Sequence, residues 1–200
     1  MKIAEFQRLE ELAKSQGSAL THADLVTYFQ SDRESSLASR IAPLLREGYL
    51  TRIRKGWYAW KGAKPEEVVR RFVPDAALSL GSALAKHLLI GTVPRFQIRF
   101  VSPSSRGMTL EWEGLRAIIH HIHPDLHFGF ETGPDGTRIN SPEKAVLDTL
   151  YYHQKGIGFS FDPETDIDRA GLRREVFLEH VERYKDFRFQ ARCRRWLDAV

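Results

Sequence analysis

The stretch Gly48-Tyr49-Leu50-Thr51-Arg52-Ile53-Arg54-Lys55-Gly56-Trp57-Tyr58-Ala59-Trp60 holds two short β-prone runs, Leu50 to Arg54 and Trp57 to Trp60, on either side of Lys55-Gly56. Glycine in a two-residue loop supplies the positive φ that tight hairpins require, so a hairpin is expected here. Three amphipathic segments precede it. Ile3, Phe6, Leu9, Leu12 and Ala13 recur three or four residues apart up to Gln16-Gly17-Ser18, the pattern of a first helix. Thr21 and Asp24 have capping-box spacing ahead of Leu25, Val26 and Phe29, a short second helix. After a turn at Ser31-Asp32-Arg33-Glu34 and Ser35, the stripe Leu37, Ile41, Leu44 and Leu45, closed by Gly48, marks a third helix, with Pro43 expected to kink it. Three helices running straight into a hairpin is the order of a winged helix-turn-helix, expected over residues 1–62.

Lys61-Gly62-Ala63-Lys64-Pro65 reads as a linker, and residues 66–200 as a mixed α+β domain with a closing helical segment. Glu66 to Phe72 and Gly81 to Leu89 look helical. Phe96 to Val101, Thr109 to Trp112, Ala117 to Ile122 and His127 to Glu131 look like strands. Ser141-Pro142 stands where an N-cap and a first-turn proline belong, followed by the helical face Val146, Leu147, Leu150 and Tyr151. Amphipathic segments near Arg169 to Tyr184 and Phe189 to Ala199 close the chain. The expected fold class is therefore α+β.

Composition narrows the function classes. Of 200 residues, 42% are apolar, enough for one large domain or two small ones and too many for bulk disorder. The single cysteine, Cys193, allows no internal disulfide, so a reducing, cytoplasmic setting is expected. Met1 to Lys14 carries charges every few residues, unlike a secretory leader. The longest apolar stretch, Ala76 to Ile90, is broken by Lys86 and His87 and falls short of the roughly 20 residues of a membrane span, so no membrane partner is expected.

Charge then points to a partner. The chain has a formal net charge of +4, yet between Arg40 and Lys61 six basic residues (Arg40, Arg46, Arg52, Arg54, Lys55, Lys61) face one acid, Glu47. Counterion release from DNA phosphates needs such clustering, and it falls on the third helix and the hairpin. Arg52 and Arg54 alternate with Ile53, so both guanidinium groups share one side of the hairpin. On the third helix, Ser35, Ser36, Ser39 and Arg40 lie off the apolar stripe as candidates for base edges and phosphates. The candidate DNA-binding residues are thus Ser35, Ser36, Ser39, Arg40, Arg52, Arg54 and Lys55. Trp57, Tyr58 and Trp60 read as packing rather than base-stacking groups.

Other clusters suggest less. His120, His121, His123 and His127 invite a metal reading, but strand geometry presents at most two together and no cysteine or HExxH helix joins them, so no metal or other cofactor is expected. Glu143, Lys144 and Asp148 read as helix-surface electrostatics: a first-turn acid and an i,i+4 pair. With no serine nucleophile elbow, P-loop or dinucleotide fingerprint, no catalytic residue is assigned and the chain is not expected to be an enzyme. From Arg169 to Asp198 nine basic residues stand against five acids, a second basic surface for DNA, for an acidic protein, or for solvent alone.

Three segments together resemble the AbiEi-type antitoxins of type IV toxin–antitoxin and abortive phage-infection systems. Gly48 to Tyr58 is similar to that family's wing, Leu78-Ser79-Leu80-Gly81-Ser82-Ala83-Leu84-Ala85-Lys86-His87-Leu88-Leu89-Ile90 to its serine- and alanine-rich helix, and Ile139-Asn140-Ser141-Pro142-Glu143-Lys144-Ala145-Val146-Leu147-Asp148 to its "serine-proline-glutamate-lysine-alanine" helix. The resemblance implies a winged-helix repressor of its own operon on double-stranded DNA, with Arg52, Arg54 and Lys55 as wing contacts and Ser36, Ser39 and Arg40 as helix contacts. It also implies a C-terminal domain that counters a nucleotidyltransferase-type toxin, with no stable toxin complex required. Palindromic operators would call for two copies on the DNA. The alternative expectation is a stand-alone winged-helix regulator whose second domain senses a ligand or docks a partner.

Overall fold

The computed structural model describes residues 3–31, 34–91 and 96–199. The chain is α+β and splits into two compact units, Met1–Pro74 with Leu110–Arg116, and Asp75–Thr109 with Ala117–Val200. Among the described residues no helix is long and apolar enough to cross a membrane.

The first unit contains α1 (Ile3–Ser15), β1 (Ala19–Thr21), α2 (His22–Phe29), α3 (Glu34–Arg46), β2 (Leu50–Arg54), β3 (Trp57–Trp60) and α4 (Pro65–Phe72). Both expected strands of the hairpin form, and β3 pairs antiparallel with β2 on one edge and β1 on the other. The strand β1 has no counterpart in the sequence reading, because three residues are too few to show alternation; its register is set by β3, with Leu20 opposite Tyr58. The expected capping box starts α2: Thr21 Oγ1 accepts from the Asp24 N–H at 3.1 Å and Asp24 accepts from the Thr21 N–H at 2.7 Å. The stripe Leu37, Ile41 and Leu44 of α3 packs with Leu9, Leu25 and Tyr58 into one core. Pro43 is accommodated inside α3, which runs to Arg46. The turn expected around Asp32 and Arg33 lies outside the described residues.

The boundary between the units falls later than the linker at residues 61–65. Helix α4, expected in the second domain, belongs to the first. It buries Val68 and Val69, stacks Phe72 on Trp57 with ring centroids 3.9 Å apart, and pairs Arg71 with Asp24 of α2 at 3.3 Å. Its amphipathic face needs the sheet edge to cover it, which keeps it with the hairpin.

The second unit contains β4 (Ala77–Leu78), α5 (Leu80–Lys86), β5 (Gln97–Ser102), β6 (Met108–Trp112), β7 (Leu115–His121), a 3-10 turn (Pro124–Leu126), β8 (Phe130–Thr132), β9 (Arg138–Asn140), α6 (Pro142–Gln154), α7 (Arg174–Glu182) and α8 (Phe187–Asp198). The sheet order is β6-β7-β5-β4-β9-β8, with the tip of the β6–β7 hairpin grouped with the first unit. The short β4 and β9, absent from the sequence reading, join in parallel near the middle, Ala77 opposite Arg138 and Leu78 opposite Ile139. Helix α5 ends at Lys86 instead of Leu89, because Leu88 turns out at φ 59°. The segment from Arg169 forms a helix only from Arg174.

Helix α6 begins as expected, with Ser141 Oγ accepting from the Lys144 N–H at 3.3 Å. Its charged residues differ from the surface reading. Glu143, Lys144 and Asp148 are fully buried. Lys144 Nζ donates to Asp148 Oδ1 and lies 3.1 Å from the Tyr184 hydroxyl. Asp148 Oδ2 accepts from Ser79 Oγ at 2.7 Å and from Asn140 Nδ2 at 2.7 Å. Segments 78–90 and 139–148 thus meet at one carboxylate. Gly129 (φ +68°) lies so close to this helix that a Cβ there would sit 3.1 Å from the Lys144 Cβ. Burial opposes ionisation of Glu143, but donors from the Arg173 side chain and backbone outweigh it and hold the carboxyl at about 2, against the usual 4.5.

Removing one member of the Lys144–Asp148 pair leaves a buried charge unanswered. Lys144→Ala is expected to cost about 3–5 kcal/mol in urea unfolding, and Lys144→Met with Asp148→Asn, which removes both charges but keeps an oxygen acceptor for Ser79 and Asn140, less. Glu143 has a depressed pKa, so its stabilisation is present above pH 4.5 and is lost as pH falls toward 2. The gap in melting temperature between the native chain and Glu143→Gln is expected to narrow over that range.

Candidate nucleic-acid interface

The hairpin displays the basic residues expected of it. Arg52, Arg54 and Lys55 are exposed, while Ile53 is half-buried. The pairing register shifts between Arg52 and Arg54, so a bulge interrupts the regular alternation. Each arginine rests on its own aromatic support. Arg52 donates to the Tyr58 hydroxyl at 3.3 Å with its guanidinium over that ring, and Arg54 lies 5.8 Å from the centroid of Phe72. The phenol beside Arg52 holds its guanidinium above the usual arginine range. Neither Arg54 nor Lys55 has an ion-pair partner among the described residues, so both charges are available to an outside anion.

The loop that presents Lys55 is held at both sides. Gly56 adopts φ +76°, and its carbonyl accepts from the His22 N–H, the first residue of α2, at 2.7 Å. The hairpin turn is thereby tied to α2, and α4 contributes Phe72 beneath Arg54. This aromatic support could not be seen in the sequence, because Phe72 lies beyond the residues read as the first domain.

Helix α3 divides its polar residues between two surfaces. Ser35 and Ser36 are exposed near its N-terminal end. Ser39 donates its hydroxyl back to the Ser36 carbonyl at 2.8 Å, leaving only acceptor capacity facing outward. Because Pro43 has no N–H, the Ser39 carbonyl has no helical donor four residues on. Arg40 is turned toward α1: Nη1 lies 3.2 Å from Glu5 and the guanidinium 5.6 Å from the Phe29 centroid. With Ser39, Phe6, Pro43 and Tyr49 it lines a groove of about 510 Å³. Of the seven candidate residues, the hairpin three lie together with open charge, Ser35 and Ser36 lie on the exposed side of α3, and Ser39 and Arg40 also face the groove.

The second basic segment is largely neutralised within its own unit. Arg173 pairs with Glu143, Arg174 with Asp198, Lys185 with Asp125, Arg192 with Glu164 and Arg194 with Glu182. Arg169 donates to the carbonyls of Glu164 and Ala199. Only Arg183, Arg188 and Arg195 of the nine lack such a partner among the described residues. Three of the five acids counted in that segment, Glu182, Asp186 and Asp198, sit beside these arginines or cap α8, while Glu143, Asp125 and Glu164 come from elsewhere in the chain.

The histidines are scattered by their neighbours. Burial pushes the His120 imidazole down to about 4, His121 Nδ1 lies 2.8 Å from the Ser105 carbonyl, and His123 caps the 3-10 turn. Among the described residues no group of three or more histidine, cysteine, aspartate or glutamate side chains is placed to hold a metal ion.

No family model matches the chain, and no curated protein matches it. Among solved structures, the chain is similar to the crystal structure of the RV2827C protein from Mycobacterium tuberculosis, at 18% identity and a TM-score of 0.63, over 99% of this chain and 78% of that one. At this identity the likeness concerns the fold, a mixed α+β chain.

A Cβ at position 56 would meet only the His22 Cβ, at an ordinary 3.7 Å, so the cost of Gly56→Ala is conformational. It is expected to destabilise the chain by about 1–2 kcal/mol in thermal unfolding, through the positive φ alone.

Proposed function

We propose that the first unit is a winged helix that binds double-stranded DNA and that the chain is the antitoxin of a type IV toxin–antitoxin pair, repressing its own operon in the cytoplasm. One observation carries the DNA reading: the order α1-β1-α2-α3-β2-β3, with β3 central in its sheet, ends in a hairpin whose exposed Arg54 and Lys55 have no ion-pair partner among the described residues. In this reading Arg52, Arg54 and Lys55 lie along phosphates beside the helix, and the N-terminal half of α3 approaches base edges through Ser35, Ser36 and Ser39. Arg40 reaches DNA by exchanging the Glu5 carboxylate for a phosphate. Two copies on a palindromic operator would place two such hairpins one helical turn apart.

The antitoxin part is supported by the resemblance of segments 48–58, 78–90 and 139–148. The second unit is proposed to counter a nucleotidyltransferase-type toxin without a stable complex. No cofactor is invoked.

The test is fluorescence anisotropy of the full chain on DNA upstream of its own gene and on scrambled DNA, over a range of salt. Sequence-preferring binding is expected. In Arg52→Ala with Arg54→Ala, affinity is expected to fall on both DNAs, and the slope of log affinity against log salt to flatten by about two. An unchanged slope removes the hairpin from the interface. Co-expression with the neighbouring reading frame tests the antitoxin role: growth is expected to be arrested by that frame alone and restored by this chain.

A further inference from the structure

A cavity of about 400 Å³ opens in the second unit between the 3-10 turn Pro124–Leu126, the end of α6 and the α7–α8 connection. That size is typical of small-molecule sites. Its apolar wall is Leu126, Tyr151 and Tyr184, the first and last of them buried. The Tyr184 hydroxyl faces away into the buried pair, bonded to Asp148 and Lys144.

The polar rim divides by what is already engaged. Asp125 holds the Lys185 ammonium at 2.9 Å, and Asp186 caps α8 by accepting the N–H groups of Arg188 and Phe189. The lysine and Asp125 are therefore paired with each other, with His123 Nδ1 also 3.7 Å from that carboxylate, and Asp186 is engaged as a helix cap. Arg183 is different: its guanidinium lies 3.8 Å from the centroid of Phe128, is exposed, and has no hydrogen bond or ion pair among the described residues. All five of its N–H donors are open. His123 accepts the Asp125 N–H on Nδ1 at 3.2 Å, so the neutral ring carries its proton on Nε2, a second open donor. The Arg183 guanidinium and the His123 Nε2 thus offer donors at the rim, the Tyr151 hydroxyl can donate or accept, and the wall beneath is aromatic and apolar.

We infer that this cavity binds a small planar aromatic acid, its anionic group taken by Arg183 and His123 and its ring laid against Tyr151 and Leu126. An aromatic carboxylate and a nucleoside monophosphate share this chemistry. The inference stands apart from the DNA reading, since binding at the cavity is measured without DNA.

The experiment is thermal-shift and calorimetric titration of the full chain with benzoate, indole-3-acetate, AMP and UMP, alongside uncharged benzamide and inorganic phosphate. A saturable rise in melting temperature is expected with at least one aromatic acid, and its position among the carboxylates or the nucleotides identifies the anion. Binding is expected to weaken at least about tenfold in Arg183→Gln, the loss of one charge-assisted contact. The same loss is expected in Leu126→Trp, which fills the cavity. Arg183 is exposed and loses only its contact with the Phe128 ring, so Arg183→Gln is expected to fold with a slightly lowered unliganded melting temperature and reads binding even where Leu126→Trp fails to fold. The inference is overturned if no aromatic acid gives a saturable shift, if benzamide or phosphate matches the best acid, or if Arg183→Gln binds as tightly as the native chain.

Discussion

The second unit depends on the buried ion pair between Lys144 and Asp148. Lys144 and Asp148 stand one turn apart on α6, an arrangement that on an exposed helix contributes only tenths of a kcal/mol. Here water is excluded, and the aspartate collects donors from the end of β4 (Ser79), from the end of β9 (Asn140) and from the α7–α8 connection (Tyr184). Burial pulls the lysine below the ordinary ammonium range, and the Asp148 carboxylate opposes that pull. A charge so placed can be tolerated only when all its partners arrive together, so the pair sets the joint position of sheet centre and helices.

The first unit uses charge in the opposite way. Its core is apolar and aromatic, built on Leu9, Leu37, Ile41, Tyr58 and Trp60, and its basic residues stay at the surface. Arg52 and Arg54 are supported from beneath by Tyr58 and Phe72, which keeps long side chains ordered while their charge stays open. Of the nine C-terminal basic residues, five are answered by carboxylates of their own unit and Arg169 by carbonyls. Counting basic residues along the chain therefore overstates the second surface and understates the first.

What could be read in advance was whatever is encoded over a few neighbouring residues. The Thr21–Asp24 box, the Ser141-Pro142 helix start, the stripe of α3 and the Lys55-Gly56 turn each carry their cause locally, and each formed. The strands β1, β4 and β9 are only two or three residues long and owe their existence to partners far along the chain. Helix α4 was legible as a helix, but its allegiance to the first unit rests on Phe72 meeting Trp57 and Arg71 meeting Asp24. Among the candidate residues, a shared side for Arg52 and Arg54 is expected from alternation and exposure of Lys55 from its place in the turn, whereas the bulge between the two arginines and the turn of Arg40 toward Glu5 depend on pairing and on where α1 packs.

By itself the sequence determined the α+β class, most of the helices, the hairpin and the place where positive charge gathers, because periodicity, caps and turn chemistry act within a few residues. Only the tertiary structure decided that Lys144 and Asp148 are buried, that β4 and β9 meet in the middle of a sheet, and which arginines remain open. Those outcomes turn on solvent exclusion and on partners 30 to 70 residues away, as Arg173 is from Glu143 and Ser79 from Asp148. Spacing along a chain states which groups can face the same way, and packing alone states what they face.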